Sequence, residues 1–483
     1  MASRGPREVS EERSGGELRG VTSGRPDAEQ REAARNLELR KRLREVEDAI
    51  LARTPESSPE PSLERVRRIM ELLGDPQRTF PLVHLTGTNG KTTTTRAIER
   101  ILRETGLSTG RFTSPHLHNV RERIALNGKA IDPERFIATY DDVLPYVELI
   151  DNEAREAGEP TTTYFEFLVV MAYAAFADAP VDVAIVEVGL GGRWDATNVA
   201  DGDVAVITPI SLDHTRLLGS TVEEITLEKR DIIKAGAITV VGEQDPGVDQ
   251  LIAERIAEVG GAVKRETIDF EVLERDQAVG GQQLTVQGLA AVYPDIYLPL
   301  FGEHQAHNVA TAIAAAEAFL GGGERALDID LLRSALAELD SPGRLEIVRR
   351  SPTVLVDAAH NAAGIRALRD AMNDSFTFSR LVGVLAIFAD KDAEDMLSTL
   401  EPVLDHVVVT RNSNKRSMAP QDLGELAIEI FGEDRVDVVP DLADAIDRAA
   451  ELADEGGVSG GVLATGSIST AADVRALLGV TDS

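Results

Sequence analysis

Residues 81–104 read strand, glycine turn, helix, an order that commits this part of the chain to a phosphate-binding α/β unit. PLVHL (81–85) is an apolar run of strand length and GTNG is a tight turn; in KTTTTRAIERILRE, Ala97, Ile98, Ile101 and Leu102 share one helical face. Backbone N–H groups of such a turn, gathered at a helix N-terminus, cradle phosphate oxygens. Lys91 then reaches the outer phosphates, and Thr92 or Thr93 brings a hydroxyl towards magnesium. The strict P-loop spacing is broken because Leu85 occupies its first glycine position, leaving the shorter pattern Gly87-x-x-Gly90-Lys91-Thr92.

The α/β alternation then continues. VDVAIVEV (181–188) and DVAVIT (203–208) are apolar runs bounded by loops and separated by helical stretches, as a parallel sheet covered by helices requires. Pro342 and Gly343 in ELDSPGRLEIV (338–348) mark a boundary between a helix and a new strand. Beyond it VLVDAAH (354–360), LVGVLAI (381–387), HVVVT (406–410), VDVV (436–439) and GVLATG (461–466) predict a second α/β unit. The expected organisation has three parts. Residues 1–35 are a tail too poor in large apolar side chains to order itself, 36–340 are a nucleotide-binding domain opening on a helix near Asn36–Leu51, and 341–483 are a C-terminal α/β domain.

Composition narrows the function. With 43% of its 483 residues hydrophobic and 27% charged, the chain has the makings of two buried cores, and no apolar run is long enough to cross a bilayer. The opening MASRGPREVSEERSGGELRG lacks the apolar segment of a secretory signal, so a cytoplasmic protein without membrane partners is expected. Cysteine is absent, which excludes disulfides, thiolate nucleophiles and cysteine-held zinc; any metal must sit on oxygen or histidine. A formal charge of −32 excludes general affinity for nucleic acid and obliges an anionic substrate to be received at a local positive site. Positive charge is written almost wholly as arginine, 42 residues against eight lysines, so a surviving lysine points to a place where an amine is needed chemically.

Two further segments carry chemistry. In EVGLGGRWDATN, Glu187 falls at the C-terminal end of a predicted strand, the edge where ligands collect in open α/β sheets; Arg193 and Asp195 beyond it read either as ligand groups or as a solvated pair. TPISLDHTRLLGSTVEEITLEKRDIIKAG places His214 just after a strand and Lys229 on a helix. Each alone reads as an ordinary packed or solvated residue. Together with the loop they map to strand ends of one predicted sheet.

Taken in order, TGTNGKTT, FTSPHL, TYFEF, EVGLGGRWDATN, SLDHTRLLG, EK, the QAHN of EHQAHNVATA, SPGRLEIV and VDAAHN resemble the folylpolyglutamate synthases, including the bifunctional dihydrofolate synthase form, within the Mur ligase superfamily. The resemblance implies an α/β fold with a P-loop-type central Mur-ligase ATPase domain and a smaller Rossmann-like C-terminal domain. It implies ATP held by Thr88, Asn89, Gly90, Lys91, Thr92, Asn308, Arg344, Asp357 and His360, and Mg2+ held by Ser114, Glu187 and His214. Lys91, His214 and Lys229 form the implied catalytic set. Lys229 matches a lysine that the family carboxylates to N6-carboxylysine, although the family often continues Glu-Lys-Ala-Gly where this chain has Glu228-Lys229-Arg230-Asp231.

The pteroate side resembles Thr163, Tyr164, Phe165 and Glu166 together with Trp194, Asp195 and Ala196, with a weaker match at Glu60, Pro61 and Ser62. Aromatic faces suit a flat pterin and carboxylates suit its ring donors. Tyr164, Phe165 and Phe167 equally suit the core face of a helix. Trp194, the only tryptophan, stands where some family members carry leucine. The implied reaction is ATP-dependent ligation of L-glutamate to dihydropteroate and to reduced folates through an acyl phosphate, by a monomer. Polyglutamylation alone, a UDP-muramyl peptide ligase and a nucleotide-dependent switch are the alternatives. TYFEF and GGRWDATN disfavour the muramyl substrate, and the second α/β unit with Glu187, His214 and Lys229 disfavours the switch.

Overall fold

The computed structural model describes residues 28–54, 62–455 and 459–480. Residues 1–27 of the expected tail, and Glu60 and Pro61, lie outside the described residues. The first helix runs Ala28–Leu51, so it starts at Ala28 rather than near Asn36. AEQREAAR consists of strong helix formers, and a largely exposed helix has no need of apolar residues until it docks, here through Val46 and Ile50.

Strands β1 (Leu82–Thr86), β2 (Thr109–Phe112), β3 (Ile124–Leu126), β4 (Lys129–Ala130), β5 (Val183–Glu187), β6 (Val204–Ile207), β7 (Ile238–Val241) and β8 (Ala262–Arg265) form one sheet in the order β4-β3-β2-β5-β1-β6-β7-β8. It is parallel from β2 to β8, with β3 and β4 added antiparallel at one edge. Burial on both faces explains why β1 and β5 read as unbroken apolar runs rather than alternating ones. The exception in β1 is His84, whose Nε2 stands 2.9 Å from the Thr197 hydroxyl; burial lowers its pKa to about 3, which makes a neutral imidazole tolerable there.

Helices Pro133–Ala157 and Tyr164–Asp178 cover one face around Phe112, Phe136, Phe167 and Phe176. Helices Lys91–Glu104, Glu303–Gly321 and Ile329–Ala337 cover the other. Because β1 lies between β5 and β6, the loops following these three strands open at one crevice, the place where open α/β sheets bind ligands. An antiparallel meander, β9 (Glu271–Ala278), β10 (Gly281–Gln287) and β11 (Val292–Leu298), packs Leu284, Val286, Tyr293 and Ile296 into the second core. The sequence pattern did not single it out, since charged residues occupy exposed positions in β9.

The C-terminal sheet contains β12 (Glu346–Arg350), β13 (Thr353–Val356), β14 (Arg380–Leu385), β15 (His406–Val409), β16 (Val436–Val438) and β17 (Gly460–Thr465) in the order β12-β13-β17-β14-β15-β16. Only β12 is antiparallel, and apolar cores lie on both faces. The apolar runs predicted after the boundary segment each fall on a strand of this sheet. Among the described residues no helix is long and apolar enough to cross a membrane.

Candidate active site

The loop after β1 is held in shape before any ligand arrives. Gly87 has φ +147°, and a Cβ there would stand 2.8 Å from the Thr208 carbonyl oxygen; at Gly90, φ +86°, it would stand 2.2 Å from Asn308 Oδ1. Only glycine fits either position. Thr88 N–H donates to the Pro209 carbonyl and its hydroxyl to the Ser211 carbonyl, both at 3.0 Å, tying the turn to the loop after β6. Lys91 folds back on this loop, its ammonium donating to the Gly87 and Thr88 carbonyls at 3.1 and 3.0 Å. Burial lowers its pKa, opposed by attraction to Glu187 and Asp213.

Glu187 ends β5 and is 1% exposed. It accepts the Thr92 hydroxyl at 3.0 and 3.1 Å and the Ser114 amide at 3.4 Å. Burial pushes its carboxyl pKa up, against the pull of nearby Lys91. A buried carboxylate flanked by two hydroxyl-bearing residues is a hard oxygen donor set, so the residues present fit a magnesium ion. His214 follows β6 with a left-handed backbone, φ 49°, and Nε2 3.9 Å from Asp213 Oδ2. Although the side chain is 38% exposed at the cleft, desolvation there lowers its pKa to about 4, which leaves a neutral nitrogen. Among the described residues no cluster of three or more His, Asp or Glu gathers closely enough to hold a metal, so any metal here must also use hydroxyl or phosphate oxygens.

Lys229, at the end of helix Val222–Lys229, is 4% exposed and donates to the same Gly87 carbonyl at 2.7 Å. Burial, then repulsion from Lys91, brings its pKa down to about 7. A large share of this amine is therefore neutral and nucleophilic near pH 7.

The C-terminal domain supplies the opposite wall. A cavity of about 900 Å³ is lined by all the expected nucleotide and metal residues, from Thr88 to Thr92, Ser114, Glu187, His214, Lys229, Asn308, Arg344, Asp357 and His360. Asn308 projects from helix Glu303–Gly321 and holds Gln305 at 3.0 Å. Asp357 accepts the amides of Leu345 at 2.7 Å and Ala359 at 2.8 Å, which fixes the junction beside Arg344.

The residues expected on the pteroate side are not in this wall. Thr163 and Glu166 form the capping box of helix Tyr164–Asp178, and Glu166 also pairs with Arg65 at 2.9 Å. Phe165 packs against Phe112 with ring centroids 5.8 Å apart, and Ala196 is buried. Asp195 accepts the Leu190 and Thr197 amides, both at 2.9 Å, and burial raises it to about 6. Trp194 is 47% exposed under Arg193. Two of them touch residues that do line the cavity: Asp195 through the Leu190 amide, and Tyr164 through Arg123, which sits 4.9 Å over its ring.

Three residues escaped the sequence reading. Asp213, Asn361 and Lys391 meet at the domain boundary, with Asn361 Nδ2 2.9 Å from Asp213 and the Lys391 ammonium against the other carboxylate oxygen. Asp213 and Asn361 lie inside the segments SLDHTRLLG and VDAAHN, beside His214 and His360, which was the available signal; Lys391 carried none.

Both halves of this cavity belong to one class of enzyme: the Mur ligase middle domain matches residues 85–316 and the Mur ligase glutamate ligase domain matches 343–468. The dihydrofolate synthase/folylpolyglutamate synthase of Mycobacterium tuberculosis is 47% identical over 457 residues, covering 90% of this chain and 94% of the relative. The chain belongs to the dihydrofolate synthase/folylpolyglutamate synthase family. A Mycobacterium tuberculosis folylpolyglutamate synthase complexed with ADP and AMPPCP superposes with TM-score 0.87 at 46% identity, over 92% of this chain and 100% of that one. An FPGS–AMPPCP–folate complex gives TM-score 0.78 at 29% identity, over 90% and 98%.

Proposed function

We propose that this chain is the ATP-dependent ligase that joins L-glutamate to dihydropteroate, forming dihydrofolate, and to reduced folates, forming folylpolyglutamates. One observation carries the reading: a phosphate loop, a buried carboxylate and the second domain's polar groups all face a single cavity between two Mur ligase domains. ATP transfers its γ-phosphoryl group to the acceptor's carboxylate and ADP departs. The glutamate nitrogen then attacks the acyl carbon, the bond to phosphate breaks, and the nitrogen loses a proton.

Lys91 exchanges its two loop carbonyls for the outer phosphates, and the amides of residues 89–91 hold the inner ones. Glu187, Ser114, Thr92 and His214 are the residues that would hold magnesium, which when bound neutralises charge on the transferring group. The neutral imidazole of His214 offers its lone pair to that ion rather than a base to the amine, whose proton leaves to solvent. Lys229, partly neutral near pH 7, adds carbon dioxide as Nζ forms a bond to carbon and releases one proton, giving an N6-carboxylysine beside Gly87. Cytoplasmic residence and a monomeric state complete the proposal.

Release of ADP with ATP, Mg2+ and L-glutamate tests the reading, comparing 7,8-dihydropteroate, tetrahydrofolate and no acceptor. Turnover with both acceptors is expected. Turnover with tetrahydrofolate alone restricts the enzyme to polyglutamylation, and silence with both overturns the reading.

A further inference from the structure

The cavity wall is not continuous chain, and one carboxylate joins its halves. Asp213 lies in the loop after β6, yet most of its partners come from the C-terminal domain. The Lys391 ammonium, from the loop after β14, forms an ion pair with Oδ1, and both side chains are only 7% exposed. On Oδ2, Asn361 Nδ2 donates at 2.9 Å and His360 Nε2 stands at 3.4 Å. Asn361 also exchanges amide hydrogen bonds with Asn89 of the phosphate loop at 3.2 and 3.3 Å, and it caps the helix Ala362–Ser375. Asp213 is further anchored by the His214 amide at 2.7 Å.

A buried ion pair of this kind is favourable only when further donors satisfy the carboxylate, and here they do. Its geometric consequence is orientation. Asn89 and Asp213 belong to the domain that grips ATP, whereas His360, Asn361 and Lys391 belong to the domain that faces them across the cavity.

We infer that Asp213 and Lys391 are positioning residues for the second half-reaction, setting the C-terminal domain at the angle from which the glutamate amine reaches the acyl phosphate. This rests on the ligase reading above. Phosphoryl transfer is carried by the loop, Lys91 and Glu187 of the first domain; Arg344, Asp357 and His360 complete the grip on ATP from the second, so a looser tie raises KM for ATP but leaves the transferring groups in place once ATP is saturating. Amide formation needs both domains in register, so loss of the tie falls on the glutamate-dependent step. The charge of Lys391, rather than amine chemistry, is what the tie uses, so arginine serves in its place.

The test compares the wild-type enzyme with Lys391→Met, Lys391→Arg and Asp213→Asn. Two readouts separate the halves of the reaction. One is scrambling of 18O from the β,γ-bridge of saturating ATP with tetrahydrofolate and no glutamate; the other is KM for L-glutamate in steady-state turnover. Lys391→Met and Asp213→Asn are expected to raise KM for L-glutamate roughly tenfold or more while ATP scrambling continues, and Lys391→Arg to restore most of the loss. Equal loss of scrambling and of glutamate turnover in the soluble, folded variants would overturn the assignment, as would a Lys391→Arg enzyme as impaired as Lys391→Met. Should wild type itself show no glutamate-dependent turnover, it is the ligase reading that fails.

Discussion

Lys229 and Lys91 share one carbonyl, that of Gly87, and burial makes both ammonium groups costly. The two differ in what replaces that carbonyl: phosphate for Lys91, carbon dioxide for Lys229. Arginine cannot add carbon dioxide, so Lys229→Arg is expected to lower kcat by roughly 10²–10³ while nucleotide affinity stays close to wild type; isothermal calorimetry with ADP beside steady-state rates checks the split. The pH dependence has a definite sign. Lys229 releases its proton at about 7 when folded and at 10.5 when unfolded and exposed, so the unfolded chain binds more protons in between. With carbon dioxide excluded, the stability this group subtracts is therefore fully subtracted below about pH 7 and is recovered towards 10.5. Denaturant titrations across that range, wild type against Lys229→Met, are expected to differ in slope in that direction. Carboxylation, which needs the neutral amine, rises through the same lower limit and is measured as bound 13C-labelled carbon dioxide at fixed gas pressure.

The elements around the loop show how firmly the turn is specified. Gly90 caps helix Lys91–Glu104 with a left-handed backbone and no room for a Cβ beside Asn308. Gly90→Ala is expected to cost about 1–3 kcal/mol in stability and to weaken ATP binding severalfold, read by urea unfolding and by ADP titration. Helix Tyr164–Asp178 makes a different case. Glu166 closes its capping box and pairs with Arg65 inside the protein, so Glu166→Ala is expected to destabilise the fold by roughly 3 kcal/mol without a large change in KM for the folate acceptor. A raised KM with unchanged stability would restore Glu166 to the substrate.

That contrast marks the limit of what the residues reveal unaided. That the loop, Glu187 and His214 meet was legible from the residues, because apolar strands put their ends at one edge of a sheet; Lys229, Asn308, Arg344 and Asp357 came from the family resemblance, and all of them line the one cavity. Thr163, Glu166 and Asp195 lie outside its wall in local caps, a role that gives a carboxylate the same spacing as one aimed at a ligand. Asp213 and Lys391 were hidden by distance, 178 residues apart in a contact no local pattern records.

At the scale of the whole molecule, a formal charge of −32 surrounds a cavity that must receive ATP, glutamate and a folate carboxylate, all anions. The loop amides, Lys91 and Arg344 form the local exception. Much of the ion pairing elsewhere is exposed, such as Arg68 with Glu153, and contributes little. Salt is therefore expected to stabilise the fold by screening repulsion, with the melting temperature rising by a few degrees on the order of 1 M NaCl, where screening acts over about 3 Å. A melting temperature that falls with salt would place the net charge elsewhere in the balance. The claim on which all the rest depends is that the acceptor's carboxylate passes through an acyl phosphate. Labelling that carboxylate with 18O and analysing the phosphate released during glutamate ligation tests it most directly. The account predicts one labelled oxygen in each phosphate released; phosphate free of label, with glutamylated product formed, would contradict it.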